Sequence, residues 1–144
     1  MQSFPHHYRV SAQGRPQGEV ALGSPGLPPL STAAPSEFGG PGNRWSPETL
    51  LVGAVADCFV LSLRAVAQAS QLVWTEVGCQ VEGKLDRVER KTRFTELTLR
   101  VELVVPAETD LERAERVLDK AESACLISNS LACPVHLEKS IVRG

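Results

Sequence analysis

The sequence lacks the features that mark several common classes of protein. Its 144 residues carry a net charge of only −2, so no general attraction to nucleic acid or to an anionic membrane is expected. No segment repeats, and no basic stretch followed by an apolar run stands at the N-terminus, so no signal peptide is predicted. No glycine fingerprint links a strand to a helix, which argues against a nucleotide-binding doubly wound fold.

What the sequence does contain is a long apolar helix pattern that begins at "WSPETLL" and runs to about Ser70. Ser46 is the expected N-cap, and Pro47 takes the first helical position, where its missing N–H costs nothing. Asp57 and Arg64 interrupt the run, which indicates a core helix of a soluble protein rather than a membrane span. Other apolar residues widen the stripe, so the helix should be nearly surrounded. The stripe at helical spacing consists of Leu51, Ala54, Val55, Cys58, Ser62, Ala65 and Ala69.

The other segments predict strands, turns and a second helix. Before the long helix, "YRVSAQ" and "GEVAL" predict a hairpin with "GRPQG" as its turn, followed by a wrapping loop rich in glycine and proline, with one short strand near Leu30. After it come two alternating segments typical of half-buried antiparallel strands. A second helix over "PAETDLERAERVLDKAESACLISNSL", capped by Thr109 and Glu112, and a final strand, "PVHLEKSIV", close the chain.

This order of elements favours an α+β fold with antiparallel sheets. The length suits one domain of residues 1–144. We divide it into an N-terminal hairpin and wrapping loop, residues 1–45, and a helical and sheet part, residues 46–144.

Four cysteines in a chain without a predicted signal peptide indicate thiol chemistry, metal binding or packing before a disulfide framework. Cys79 lies on the apolar face of a predicted strand, which is typical of packing. Cys133 and His136 have a C-x-x-H spacing, although a metal site needs three or four ligands. A zinc site built on Cys125, Cys133 and His136 is kept as one alternative.

Cys58 and Cys125 each occupy the predicted inward stripe of a helix, so packing of the two stripes would bring their sulfurs together. They are either two core thiols or a nucleophile with its resolving thiol. A nucleophile must be largely thiolate, yet Cys58 lies eleven residues beyond Pro47, too deep for the helix dipole, and burial would raise its pKa. A cation from another segment is therefore expected, and Arg15 in the "GRPQG" turn is the candidate.

At these residues the chain resembles the OsmC/Ohr family of thiol-dependent peroxidases. "SPETLLVGAVADCF" is similar to the family's "NPE-x-L…A-x-x-A-x-CF" segment, including the ten-residue interval between Glu48 and Cys58. "QGRPQGEV" resembles its N-terminal "GGRDG" hairpin, "PSEFGGPGNRWSPE" the loop before its central helix, and "CLISNSL" its resolving-cysteine segment. The resemblance runs over essentially the whole chain, in the same order.

The resemblance implies a role for each matched residue. Cys58 would attack the peroxide O–O bond, and Cys125 would resolve the sulfenic acid as a Cys58–Cys125 disulfide. Arg15 would hold the thiolate and polarise the peroxide, with Glu48 orienting Arg15 by a salt bridge. The implied fold packs antiparallel sheets around two central helices in an intertwined homodimer. The implied activity reduces organic hydroperoxides in the cytoplasm with a dithiol reductant, such as a lipoyl or thioredoxin-like protein, and no metal or organic cofactor.

Some residues depart from the family pattern, and others extend what it implies. Leu126 follows Cys125 where the family often has proline, and Cys133 is a possible second resolving thiol. On a straight helix Glu48 and Cys58 lie roughly 15 Å apart along the axis, so we predict that Glu48 acts on the site of the partner subunit. The rival function is a non-enzymatic dimer of the same fold that binds an apolar small molecule or senses oxidants.

Overall fold

The computed structural model describes residues 1–144 and contains two three-stranded sheets and three α-helices. The chain divides into two compact units, residues 1–50 and residues 51–144. The sequence predicted an N-terminal wrapping segment ending at residue 45, whereas the first unit ends at Leu50, inside the first turn of the long helix.

Short strands build the sheet of the first unit. β1 (Ser11–Gln13), β2 (Val20–Gly23) and β3 (Leu30–Thr32) pair antiparallel in that order. The predicted hairpin and the short strand near Leu30 are therefore confirmed, and a single 3₁₀ turn follows at Ser36–Phe38. Thr32 and Ser46 are the unit's only buried residues, so these 50 residues build no apolar core of their own.

The long helix α1 (Pro47–Ala69) begins as the sequence predicted. The Ser46 hydroxyl accepts a hydrogen bond from the Thr49 N–H at 3.1 Å, while the Ser46 N–H donates to the Thr49 hydroxyl at 2.8 Å. This reciprocal pair satisfies two N–H groups that the helix cannot satisfy itself. Gln71, at a φ of 56°, then takes the left-handed conformation that turns the chain away from the helix.

The buried stripe of α1 differs from the predicted one. The fully buried positions recur every four residues and are Val55, Phe59, Leu63 and Ala67. Only Val55 belongs to the predicted stripe. Ala65 and Ala69 are exposed and Leu61 is 52% exposed, so α1 is not surrounded within one chain. The helix is apolar on nearly every side, and its sequence therefore does not mark which side one chain buries.

The second unit is built around a long hairpin. β4 (Glu76–Val88) and β5 (Lys91–Val105) pair antiparallel through a two-residue turn at Glu89 and Arg90, both with positive φ. This is the tight turn whose twist matches that of the strands. Alternate residues of β5 point into the core that buried residues of the helices complete. They are Leu97, Leu99, Val101, Leu103 and Val105.

The last strand, β6 (Val135–Arg143), pairs with β5 in parallel, so the expectation of purely antiparallel sheets is corrected at this edge. The segment between β5 and β6 is helical and crosses over the sheet, which returns the chain in the same direction. The α+β class stands, with one parallel pair in the second sheet.

The predicted second helix is two helices, α2 (Leu111–Ala124) and the single turn α3 (Leu126–Asn129). The break lies at Cys125, whose ψ of 102° is extended rather than helical. The N-cap is Asp110, whose carboxylate accepts from the Glu112 N–H at 3.1 Å, so the predicted capping box with Thr109 is wrong. A carboxylate is as good a cap as a hydroxyl and here stands next to the first turn.

Candidate active site

Cys58 lies near the middle of α1, beside the fully buried Phe59, and is itself only partly buried. Its Sγ lies 4.0 Å from the hydroxyl of Ser62, one turn further along the same helix. A sulfur in this position is sheltered from bulk solvent but not sealed in the apolar core, as a reactive thiol requires.

Cys125 stands at the break between α2 and α3, and its side chain is fully buried. Its extended ψ ends one helix and starts the next, which leaves the first N–H groups of α3 without partners inside that helix. Two of these groups, the backbone N–H of Leu126 and of Ile127, donate hydrogen bonds to the Cys58 sulfur. The break in the predicted helix therefore builds part of the site.

These donors change the ionisation of Cys58. Desolvation by burial is the largest single influence and raises its pKa. Hydrogen bonds from the Ile127 N–H, the Cys125 thiol, the Ser62 hydroxyl and the Leu126 N–H outweigh burial, so the pKa lies below its ordinary value of 9.0. Within the chain, local donors thus lower the pKa of Cys58 against the upward effect of burial. The added cation expected from Arg15 stays a prediction.

The two thiols are brought together, as packing of the helices predicted. The pKa of Cys58 is lowered and the pKa of Cys125 is raised. Desolvation by burial raises the pKa of Cys125, and contact with Cys58 raises it further, while the hydroxyl and the N–H of Ser128 lower it. Cys125 therefore stays protonated and donates its S–H to the Cys58 sulfur. Cys58 is therefore favoured as the thiolate and Cys125 as the protonated thiol. A nucleophilic cysteine and its resolving cysteine need these two protonation states.

The other two cysteines lie among apolar side chains. Cys79 packs against the core from β4, and burial, with Cys125 nearby, raises its pKa to about 11. Cys133 is 9% exposed and belongs to the buried core cluster. Cys125 is the thiol that hydrogen-bonds Cys58. No group of three or more His, Cys, Asp or Glu side chains is arranged to hold a metal ion, so the zinc alternative has no site. His136 instead faces Glu96 at 3.6 Å on the exposed side of the sheet.

Arg15 and Glu48 belong to the first unit. Arg15 is exposed in the turn between β1 and β2 and forms no ion pair or side-chain hydrogen bond within the chain. Glu48 lies in the first turn of α1, where a carboxylate faces favourable partial charge. One of its oxygens is buried without a hydrogen-bond partner. The predicted Arg15–Glu48 salt bridge is absent from the single chain.

Glu48 also lines an apolar cavity of about 520 Å³ in the first unit. Its walls include Val20, Leu22, Phe38 and Leu50. Phe38 is the aromatic residue that the glycine- and proline-rich loop contributes to these walls. An unpartnered carboxylate oxygen in apolar surroundings costs free energy, which makes Glu48 a residue in need of a cationic partner.

Comparison with known proteins identifies the family. The family model for OsmC-like protein matches residues 40–139, more than half of the chain. The chain belongs to the OsmC-like family. The match covers both Cys58 and Cys125 as well as Glu48, while Arg15 lies before it.

Two curated proteins and one solved structure illustrate the relationship. The uncharacterized protein YmaD of Bacillus subtilis is 28% identical over 111 residues, which are 75% of this chain and 74% of that protein. Peroxiredoxin OsmC of Escherichia coli is 26% identical over 93 residues, 65% of this chain and 64% of that protein. The crystal structure of an organic hydroperoxide resistance protein OsmC from Legionella pneumophila is 26% identical and has a TM-score of 0.76, covering 97% of this chain and 99% of that one.

These relatives show the OsmC fold and the OsmC/Ohr family, as the resemblance predicted. A family that includes peroxiredoxins favours a redox role of the peroxidase type for this OsmC-like protein. By length and composition α1 could cross a membrane, a property that the core helices of soluble proteins share. The OsmC-fold relatives favour a soluble protein.

The sequence did not reveal the N–H donors of α3 or the two serines beside the thiols. In the sequence, Ser62 is only a small member of the helix stripe. Ser128 stands three residues after Cys125, and nothing in that spacing indicates which atom its hydroxyl contacts.

Proposed function

We propose that this OsmC-like protein is a thiol-dependent peroxidase that reduces organic hydroperoxides to alcohols. The observation that carries the proposal is the thiol pair: Cys58 has a lowered pKa, and the buried Cys125, which contacts it, has a raised one. By contrast, burial raises the pKa of Cys79, which packs against the core.

The first step is attack by the Cys58 thiolate on one oxygen of the hydroperoxide. The S–O bond forms as the O–O bond breaks, the alkoxide leaves and takes up a proton to become the alcohol, and Cys58 becomes a sulfenic acid. Negative charge moves from sulfur to the leaving oxygen, so a group that donates hydrogen bonds to both stabilises the transition state. The N–H groups of Leu126 and Ile127 already meet the sulfur, and Arg15 would serve the peroxide oxygens.

The second step is attack by Cys125 on the sulfenic sulfur, which forms the Cys58–Cys125 disulfide and releases water. A dithiol then reduces the disulfide by two successive exchanges and is itself oxidised to a disulfide. We propose a lipoyl or thioredoxin-like protein as this reductant, and the cytoplasm, where such reductants keep thiols reduced, as the site of action.

The active form that we propose is a homodimer, in which Glu48 orients Arg15 across the interface. Three observations support it. Glu48 has a buried oxygen with no partner in the chain, and Arg15 has no ion pair. In addition, α1 leaves Leu61, Ala65 and Ala69 exposed, and a second copy of the chain would cover such an apolar surface.

A direct assay tests the proposal. The reduced protein is mixed with tert-butyl hydroperoxide and dithiothreitol, and loss of the hydroperoxide is followed beside a Cys58→Ser variant. The wild type should consume many equivalents per chain and the variant none above the rate of the dithiol alone. Equal consumption of the hydroperoxide by the two proteins would show that Cys58 takes no part in the reaction. Slower consumption of hydrogen peroxide than of the alkyl hydroperoxide is expected if apolar walls select the substrate.

The apolar cavity beside Glu48 favours a second candidate, a non-enzymatic dimer that binds an apolar small molecule. The same assay separates the two functions. A binding protein would leave the hydroperoxide concentration unchanged while an apolar fluorescent probe is bound in a saturable manner.

A further inference from the structure

Ser128 is a buried polar residue that the two-step reaction does not use. It is 5% exposed, and its hydroxyl donates a hydrogen bond to the Cys125 sulfur at 3.3 Å. A serine within a helical turn usually bonds a backbone carbonyl one turn earlier. Ser130, two residues further on, does so: its hydroxyl donates to the carbonyl of Leu126 at 2.8 Å. The hydroxyl of Ser128 is directed at sulfur instead.

Ser128, Cys125 and Cys58 form a directed chain of hydrogen bonds. The Ser128 O–H donates to the Cys125 sulfur, and the Cys125 S–H donates to the Cys58 sulfur. The Ser128 hydroxyl therefore engages the same sulfur that interacts with Cys58.

The charges around Cys125 change when Cys58 is oxidised. In the reduced protein, burial raises the pKa of Cys125, Ser128 lowers it, and contact with Cys58 and the negative charge of Cys58 raise it. Cys58 on α1 is the only titratable group among the causes that shift the pKa of Cys125. Cys125 in turn raises the pKa of one other thiol, Cys79 on β4. A sulfenic acid at Cys58 carries no such charge, so both contributions of Cys58 are lost while that of Ser128 remains.

We propose that Ser128 is a positioning residue for the resolving step. It holds the Cys125 sulfur against Cys58 and stabilises the Cys125 thiolate that forms after Cys58 has been oxidised. Cys125 therefore remains a thiol during peroxide attack and becomes the nucleophile only afterwards. This inference rests on the proposed peroxidase function and adds to it the order in which the two sulfurs ionise.

Closure of the Cys58–Cys125 disulfide, the step that Ser128 assists, needs no reagent other than the two cysteines. Cys125 loses its proton, its sulfur attacks the Cys58 sulfur, and the S–S bond forms as the S–O bond breaks. The departing hydroxide takes up the proton and leaves as water. The Cys125 sulfur is oxidised by one electron equivalent and the Cys58 sulfur is reduced by one, so no further oxidant or reductant is required.

The test is a single-turnover experiment on the full-length protein with Ser128→Ala. Reduced protein is mixed with one equivalent of tert-butyl hydroperoxide. Sulfenic acid is trapped with dimedone and disulfide is counted by mass, both as functions of time and pH. The rate of the first oxidation should stay within about twofold of the wild type. Closure of the disulfide should slow by about tenfold or more, as expected for loss of one hydrogen bond to a charged sulfur, and its pH profile should move to higher pH.

Two variants act as controls. Ser128→Thr keeps a hydroxyl at the same atom and should restore closure and its pH profile. Ser130→Ala makes the same chemical change in the same short segment but removes a bond to a carbonyl, and it should close the disulfide at the wild-type rate. A loss of packing alone would not be repaired by threonine and would not shift a pH profile.

The inference is overturned if Ser128→Ala closes the disulfide at the wild-type rate and pH profile, or if the variant slows the first oxidation as much as the closure. A separate measurement distinguishes failure of the role of Ser128 from failure of the peroxidase function. In a Cys58→Ser background, Ser128→Ala should raise the pH at which Cys125 ionises, followed by the ultraviolet absorbance of its thiolate. An unchanged titration overturns the role of Ser128, whereas loss of peroxide consumption in the wild type overturns the peroxidase itself.

Discussion

The four cysteines lie in two kinds of surroundings, and the comparison shows what makes a buried thiol reactive. Cys58 and Cys125 meet where α1 approaches the break between α2 and α3, and polar donors from Ser62, Ser128 and the backbone surround them. Cys79 and Cys133 pack among the apolar residues of the core. Burial alone does not distinguish the pairs, since Cys125 is the most deeply buried of the four.

The difference lies in hydrogen-bond donors. Burial acts to raise the pKa of both Cys58 and Cys79, but beside Cys58 the N–H, O–H and S–H groups outweigh it and the pKa is lowered. No lysine, arginine or histidine is among the groups that lower the pKa of Cys58. Activation of the sulfur therefore begins with the backbone of a one-turn helix, and a cation would add to it.

Replacing Cys125 should stop turnover after a single oxidation. Cys125→Ser should oxidise once, consuming one equivalent of alkyl hydroperoxide per chain, and then stop, because the thiol beside Cys58 has been removed. With dithiothreitol present, steady consumption should fall sharply, and mass spectrometry with excess peroxide should detect sulfinic acid at Cys58.

Cys133 provides the control for that variant. Cys133→Ser should close the Cys58–Cys125 disulfide as the wild type does. A Cys58–Cys133 disulfide in the Cys125→Ser protein, together with sustained turnover, would contradict the distinction between the two pairs of thiols and make Cys133 a second resolving cysteine.

Replacing Arg15 tests whether a cation adds to the backbone donors. Arg15→Ala should lower the rate of Cys58 oxidation on the order of 100-fold, because the leaving oxygen loses its charged donor. Glu48→Gln should lower it less, roughly tenfold, since the arginine is misoriented rather than removed. The rate of sulfenic acid formation under stopped flow measures both effects.

Matched substitutions in the same unit isolate these effects from general losses of charge. Arg9→Ala and Glu37→Gln, both at exposed positions, should leave the oxidation rate within about twofold of wild type. If Arg15→Ala oxidised as fast as Arg9→Ala, the backbone donors of α3 would suffice and the cation predicted from the sequence would have no role.

The sequence predicted most of the fold because the periodicity of its apolar residues is clear. The alternation in β4 and β5 and the Ser46–Pro47 start of α1 are recognisable from the residue types alone. The parallel pairing of β6 was missed, although a helical segment between two strands commonly gives it. The buried side of α1 was also missed, because the helix is apolar almost all round and one chain covers only part of it.

The candidate site was predictable only where a reactive residue type, here cysteine, marks it in the sequence. Cysteines at helical positions pointed to the Cys58–Cys125 pair, and the family resemblance ordered their roles. The break at Cys125 was not predictable, because "ESACLISNSL" has no glycine or proline and continues the helical pattern. The N–H donors of Leu126 and Ile127 exist only because of that break, and backbone atoms leave no mark of their own in a sequence.

Alkylation and stability should also distinguish Cys58 from Cys79, although by smaller effects. Iodoacetamide should modify Cys58 at pH values below its ordinary pKa of 9.0 and modify Cys79 only as the pH approaches about 11. Cys79→Ala should change turnover by less than about twofold and reduce the free energy of unfolding by about 1 kcal/mol at neutral pH.

The same two residues should shift stability with pH in opposite directions. The pKa of Cys79 is raised to about 11 by folding, so the unfolded chain loses its proton first and stability falls as the pH rises above 9.0. The pKa of Cys58 is lowered, so its contribution is present above 9.0 and is lost as the pH falls through the folded value. Urea unfolding at several pH values should therefore find the alkaline loss reduced in Cys79→Ala and increased in Cys58→Ala. The same slope in both variants would mean that the polar donors around Cys58 do not distinguish it from a core thiol.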